Sequence, residues 1–367
     1  YTLLGGKLSG TLEAYWNTTK DLLILFPTSG TGYDNQYRNM GETENKGFEA
    51  SVNWIAIDKK NFGLSFGANI SFNKNKIKSL GSLKTMSNDL TQSYWASSEI
   101  GQDYWIEVGG SVGKMYGYVS DGRYEVSDFE RYDEVTETWI LRDGVSSSSA
   151  VGTARPGMMK LKDLDNSGDA NGSDDKRVIG DANPLHTGGF NINARLYGFD
   201  LTANFNWSYG NDIYNANKIE YTSTSKYLYR NLTSDMAGGK RWNNVDAAGN
   251  LVTNMAQLAE MNQNTTMWSP YTDKYIFSDW AVEDGSFLRL NTLTLGYTMP
   301  TTLVKKVGIN NLRFYVTAYN VFCLTSYSGY DPEVSTSRRN GSNLTPGVDY
   351  SAYPKSRQFV VGLNLNF

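Results

Sequence analysis

Apolar and polar residues alternate along several stretches of this chain with the two-residue period of a β-strand. From Phe62 to Phe72, Phe62, Leu64, Phe66, Ala68, Ile70 and Phe72 fall on one side. Asn61, Gly63, Ser65, Gly67, Asn69, Ser71 and Asn73 fall on the other. The same alternation marks Lys7–Trp16, Phe48–Ile57, Gly189–Tyr197, Phe199–Tyr209, Ser286–Thr298, Leu312–Leu324 and the terminal stretch Arg357–Phe367. In that last stretch Phe359, Val361, Leu363, Leu365 and Phe367 share a face, and Val360 breaks the pattern. A tilted strand needs about nine to eleven residues to cross the hydrocarbon of a bilayer, and these stretches are that long. The Gly, Ser and Asn side is too small and too polar for a protein core. It suits a wall facing water inside a wide barrel, whereas a sheet with one solvated face more often carries Lys, Glu and Thr.

Short turns, such as Asp58–Asn61 and the one at Gly198, alternate with long polar segments. The long ones are Thr28–Asn45, Leu80–Asp103, Asp121–Asn183 and Asn211–Asp279, the last with helical patterning at Ser234–Trp242 and Met255–Asn262. Loops beyond about 15 residues are uncommon in compact soluble domains, while outer-membrane barrels pair short periplasmic turns with long extracellular loops. Small barrels fill their interior with side chains; water-facing Gly, Ser and Asn fit a larger, plugged barrel of about 22 strands. The expected fold is all-β: an antiparallel transmembrane β-barrel, with residues 1–367 as its C-terminal portion. A soluble glycan-binding β-protein is the competing reading.

Composition sharpens this. Mean hydropathy is −0.47, as expected where a barrel wall alternates apolar with polar residues. There is no run of about 18 apolar residues, so no transmembrane helix is expected. The chain holds 25 Tyr and 9 Trp, in keeping with the aromatic girdles of a barrel. A net charge of −4 without a basic stripe argues against nucleic acid. The single histidine, His186, and the lack of a Gly-x-Ser-x-Gly elbow argue against an enzyme. The single cysteine, Cys323, has no partner for an internal disulfide.

Asp163, Asp165, Ser167, Asp169, Asn171 and Asp174 occupy positions 1, 3, 5, 7, 9 and 12 of a calcium-loop spacing, with Gly168 at the sharp turn. Ser at position 5 and Asp at position 12 depart from the usual set. A bound Ca²⁺ would staple a long loop and do no chemistry; the alternative is a solvated acidic turn.

Seven blocks, in one order, resemble SusC/RagA-type TonB-dependent transporters. They are Asn45–Glu49, Pro156–Pro184, Ser208–Tyr214, Gly285–Pro300, Asn311–Phe322, Tyr327–Val334 and Gly347–Pro354. The terminal Phe367 is similar to the C-terminal signal of outer-membrane barrels. The resemblance implies an outer-membrane importer of oligomeric nutrient, glycan or peptide. Its barrel would be closed by an N-terminal plug, driven by the TonB complex and covered by a SusD-like surface lipoprotein. Plug, TonB box and N-terminal strands are expected upstream of Tyr1. The resemblance also puts Tyr327, Tyr330, Asp331 and Glu333 near the extracellular substrate cavity, against the plainer reading of a tight Gly/Pro turn. A non-transporting barrel that anchors surface lipoproteins or another membrane complex is the second functional reading.

Overall fold

The computed structural model describes every residue except 29, 31, 34, 87–88, 98, 225–228, 273 and 337–342. Eight long strands form the wall: β1 (Leu8–Pro27), β2 (Asn35–Lys59), β3 (Phe62–Leu80), β4 (His186–Leu196), β5 (Phe199–Tyr209), β6 (Phe287–Thr298), β7 (Asn311–Thr325) and β8 (Gln358–Asn366). Each pairs antiparallel with the next in sequence, and a two-residue strand, Thr2–Leu3, pairs with β1. Consecutive pairing through short turns on one side needs no crossover, so the sheet is a simple meander.

Register puts the apolar sets of neighbouring strands side by side. Ile192 lies opposite Phe66 on β3 and Ala203 on β5, and Val316 lies opposite Leu295 and Val361. The apolar face is left bare: Val361 is 80% exposed and Trp16 69%. Monomeric soluble proteins rarely expose a contiguous apolar surface beyond a few hundred Å²; a sheet eight long strands wide, apolar all along one side, is built for lipid. Aromatic rows bound this belt. Phe48, Phe72, His186 and Tyr209 follow one another across four strands at one end, with ring centroids 5.5 Å apart for Phe72–His186 and 5.1 Å for His186–Tyr209. Phe199 and Tyr297, 4.6 Å apart, mark the other end. Between the rows β5 runs from Phe199 to Tyr209, 11 residues. Tilted by about 45°, such a strand spans roughly the 25 Å of a barrel's apolar band.

The buried core lies beyond the wall, in the connections at one end. One cluster joins Trp95, Tyr104, Met115, Tyr214, Phe277 and Val348, drawn from all three long connections. A second gathers Tyr124, Phe129, Met158, Leu161, Met236 and Trp268. Tyr104 donates its hydroxyl hydrogen bond to the Pro346 carbonyl at 2.5 Å, and Trp95 Nε1 donates to the Tyr214 hydroxyl at 2.5 Å, so the connections are cross-tied. Three segments expected as irregular therefore differ. Asn35–Asn45 continues β2, and residues 80–103 and 121–183 hold short paired strands such as Thr85–Met86 and Lys176–Asp181. Strands of two to six residues are too short to show a period. Helix forms at Met255–Asn262, where the Asn254 side chain accepts from the Gln257 amide at 3.0 Å. Ser234–Trp242 yields only a 3-10 turn at Ser234–Met236. Gly157 sits at φ +80°, and a Cβ there would lie 2.1 Å from the Trp242 ring; no other residue fits.

Asp103 is buried in this cap, accepting from the Ser93 amide at 2.8 Å and from the Ser93 hydroxyl. Burial drives its pKa up, the Ser93 hydrogen bonds and Lys176 oppose this, and the result is about 7. The folded cap therefore holds a proton that the unfolded chain gives up near the ordinary Asp value of 3.8. This contribution to stability is whole below about pH 4 and lost as pH rises to about 7. Thermal melts of the full-length protein between pH 4 and 8 should show that fall, and Asp103→Asn should flatten it. An unchanged pH profile in the variant would refute the assignment.

Candidate functional site

The inward face of the wall is polar and tied laterally. Thr202 Oγ1 donates to Asn193 Oδ1 at 3.0 Å, and Asn193 Nδ2 donates to Asn191 Oδ1 at 3.0 Å. Asn291 Nδ2 donates to Asn206 Oδ1 at 2.7 Å, and Asn206 Nδ2 to Glu333 Oε1 at 3.1 Å. Near the other end Arg313 makes a forked pair with Asp200, at 3.0 and 2.6 Å. Such a surface offers hydrogen-bond donors and acceptors with little net charge, suited to a hydrated path.

Where β6, β7 and the last connection meet, Arg289 gathers the segment that follows Tyr327. Its guanidinium donates to Asp331 Oδ1 and to Asn320 Oδ1, both at 2.5 Å, and its Nε lies 2.8 Å from Glu333 Oε2. Lys355 pairs with Glu333 as well. Arg289 and Asp331 are buried. Tyr327, also buried, donates to Asp349 Oδ2 at 2.5 Å; burial first, and then this carboxylate, push its phenol far above the ordinary range. Of the four candidates on this segment, three are thus engaged in holding it to the wall and cap. Tyr330 is 81% exposed and free to meet a ligand. Of the other aromatic residues in the connections, Trp95 and Tyr104 are core residues and Tyr229 is exposed.

The acidic loop brings Asp163, Asp165 and Asp175 together, with carboxylate oxygens within 4.8 Å of one another. Asp163 accepts from the Ser167 and Gly168 amides, at 3.1 and 2.7 Å, and from Ser146 Oγ at 2.9 Å. Asp175 takes the Leu164 and Asn171 amides, at 2.8 and 3.0 Å. Asp174, its neighbour, points to solvent on the 3-10 turn Ser173–Asp175. The side chain of Asp169 turns to Ser147, Ser149 and Asn171. Partial burial opposes its ionisation, but these donors outweigh it and hold the carboxyl at about 2. Ser167 Oγ donates to the Asp169 carbonyl at 3.2 Å. Asp175 is the residue that spacing alone passed over; the turn of Ser173–Asp175 swings it inward in place of Asp174.

Comparison with known proteins agrees with the sheet. Residues 1–151 match the family model for the TonB dependent receptor-like β-barrel. Over its whole length the chain is 31% identical to TonB-dependent receptor P3 of Formosa agariphila, covering 33% of that protein. It is 25% identical to TonB-dependent receptor SusC of Bacteroides thetaiotaomicron, covering 31% of it. It superposes on a chain of the RagAB peptide importer in its closed-closed state with a TM-score of 0.69 at 22% identity, covering 34% of that chain. The chain has the fold of a TonB-dependent receptor β-barrel. The likeness to SusC/RagA-type receptors read from the seven blocks is thereby borne out, and with it the all-β barrel class. The chain spans about a third of the length of the relatives it matches. In a sheet of this fold, the bare apolar face of β1–β8 is the outer wall, the Asn/Thr/Ser face lines the interior, and the cross-tied connections cap one end.

Proposed function

We propose that the chain is the C-terminal wall and loop cap of an outer-membrane, TonB-dependent importer of oligomeric nutrient. The observation that carries this is the two-faced sheet: apolar outward between aromatic rows, hydrogen-bonded and hydrated inward. An importer needs a wide polar lumen and an organised outer mouth, and the cap supplies the latter. The plug, the remaining strands and the TonB contact belong to the rest of the protein. A SusD-like surface lipoprotein would seat on the cap, where exposed aromatics such as Tyr229, Tyr330 and Tyr353 face outward. Peptide is the substrate class favoured by likeness to RagAB, which is a peptide importer; glycan is the alternative. Growth of a strain lacking the gene on peptides or on oligosaccharides as sole nutrient tests both. Loss of growth on one class, restored by the gene, supports import. Unchanged growth and uptake on both would overturn it.

We also propose that Asp163, Asp165 and Asp175 hold a structural Ca²⁺. Their hard oxygen donors suit that ion, with carbonyls or water completing six to eight ligands. Calcium at millimolar concentration should raise the melting temperature of the full-length protein, and the Asp163→Ala/Asp165→Ala variant should not respond. An equal calcium response in the variant would reject the site.

A further inference from the structure

The outward face of β1–β3 changes character just past the aromatic row. Phe48 pairs with Phe72; the next outward step pairs Lys46 with Lys74 and sets Trp16 beside Lys46; the one after pairs Glu44 with Lys76. Lys78 reaches the same spot. Among the described residues Glu44 is the only carboxylate that pairs with this group: it lies 3.1 Å from Lys46 Nζ and 4.0 Å from Lys78 Nζ, and accepts from Trp16 Nε1 at 2.8 Å. Lys46 also stands 3.8 Å over the Trp16 ring. Lys74 and Lys76 are exposed and make no ion pair among the described residues. Lys114, close by, is already paired with Asp181 at 2.6 Å. A cleft of about 840 Å³ opens here, with Trp16, Lys46, Phe48, Phe72, Lys74 and Lys76 on its lining.

Like charges directly opposite on neighbouring strands are destabilising, and Lys46 and Lys74 are such a pair. Four ammonium groups around one carboxylate, level with Trp16 and one step beyond an aromatic row, sit at the depth where headgroups meet hydrocarbon. We propose that this patch binds the phosphate-bearing headgroup of an outer-leaflet lipid. Lys46, Lys74 and Lys76 would hold the phosphate as point charges. The acyl chains would run down the belt over Phe48, Ala50 and Val52 of β2 and Phe72, Ile70 and Ala68 of β3. The site rests on the outer-membrane reading above, because only a membrane places lipid against this face.

The test is native mass spectrometry of the full-length protein in detergent. It is titrated with phosphatidic acid or with phosphatidylcholine of the same chains, with inorganic phosphate as competitor. The expected result is retention of phosphatidic acid at about tenfold lower concentration than phosphatidylcholine, as several lysines near an anionic headgroup would give. The Lys46→Gln/Lys74→Gln/Lys76→Gln variant should lose that preference while keeping the heat-modifiable gel shift of a folded barrel. Should the triple variant fail to fold, Lys74→Glu alone should weaken phosphatidic acid and leave phosphatidylcholine unchanged. A preference that survives these substitutions overturns the proposal. Displacement of the lipid by an equal concentration of phosphate overturns it too, marking a free-anion site. A wild-type protein that retains neither lipid and needs no detergent to stay in solution would instead bring down the barrel reading, and this proposal with it.

Discussion

Ile192→Arg is expected to destabilise the folded protein in vesicles by about 2–4 kcal/mol, the cost of an arginine facing lipid near the bilayer midplane. Ile192 lies midway along β4, opposite Phe66 and Ala203, all on the apolar face between the aromatic rows. An arginine there has no partner in hydrocarbon and is too far from either row to reach water without distorting the bilayer. Asn193→Arg, one residue on, is the matched control. Asn193 faces inward, where it accepts from Thr202 and donates to Asn191. Losing those contacts costs roughly 1 kcal/mol, and the new charge stays hydrated. Urea unfolding of both variants, followed by loss of the heat-modifiable gel shift, measures the difference. Equal costs would mean that both faces meet the same medium, and the barrel reading would fall.

The wall was legible because its physics is local. A strand between lipid and water must alternate, so Phe199–Tyr209 shows in the sequence at its final limits and Phe62–Phe72 at its final start, although that strand runs on to Leu80. Bulges mark where legibility ends. Between Leu290 and Thr292 the register shifts, and the outward set passes from Leu288 and Leu290 to Leu293 and Leu295. Such a switch of parity looks in sequence like a fault in the pattern. The cap was not legible, since its order comes from contacts far apart along the chain, such as Tyr104 with Pro346 and Trp95 with Tyr214. Its strands are too short to carry a period, so the segments read as polar loop. The candidate residues show the same limit. Spacing finds Asp163 and Asp165, but only the folded turn shows that Asp175, not Asp174, joins them. Asp331 and Glu333 draw notice as carboxylates beside tyrosines; what engages them is Arg289, 42 residues from Asp331 in sequence and across the sheet.

That arginine carries the other large expectation. Arg289→Ala should lower stability by about 3–5 kcal/mol, because removing one partner leaves buried charge uncompensated. Arg289 is 3% exposed and Asp331 5%, so water cannot take over the lost hydrogen bonds. Glu333 would suffer less, since Lys355 and Asn206 still reach it. The segment from Tyr327 to Glu333 is pinned at one end by Tyr327 to Asp349 and at the other by Arg289. Losing the second pin should free the mouth of the barrel locally before the wall melts. Hydrogen exchange should therefore rise first at residues 328–335, with β3 to β5 still protected. Arg289→Met combined with Asp331→Asn removes both charges together and should recover much of the loss, as paired apolar or neutral replacements of buried ion pairs do. If the double variant is no more stable than Arg289→Ala, the ion pair is not what holds this segment, and the packing of Phe287 and Leu290 on the same strand would be the place to look.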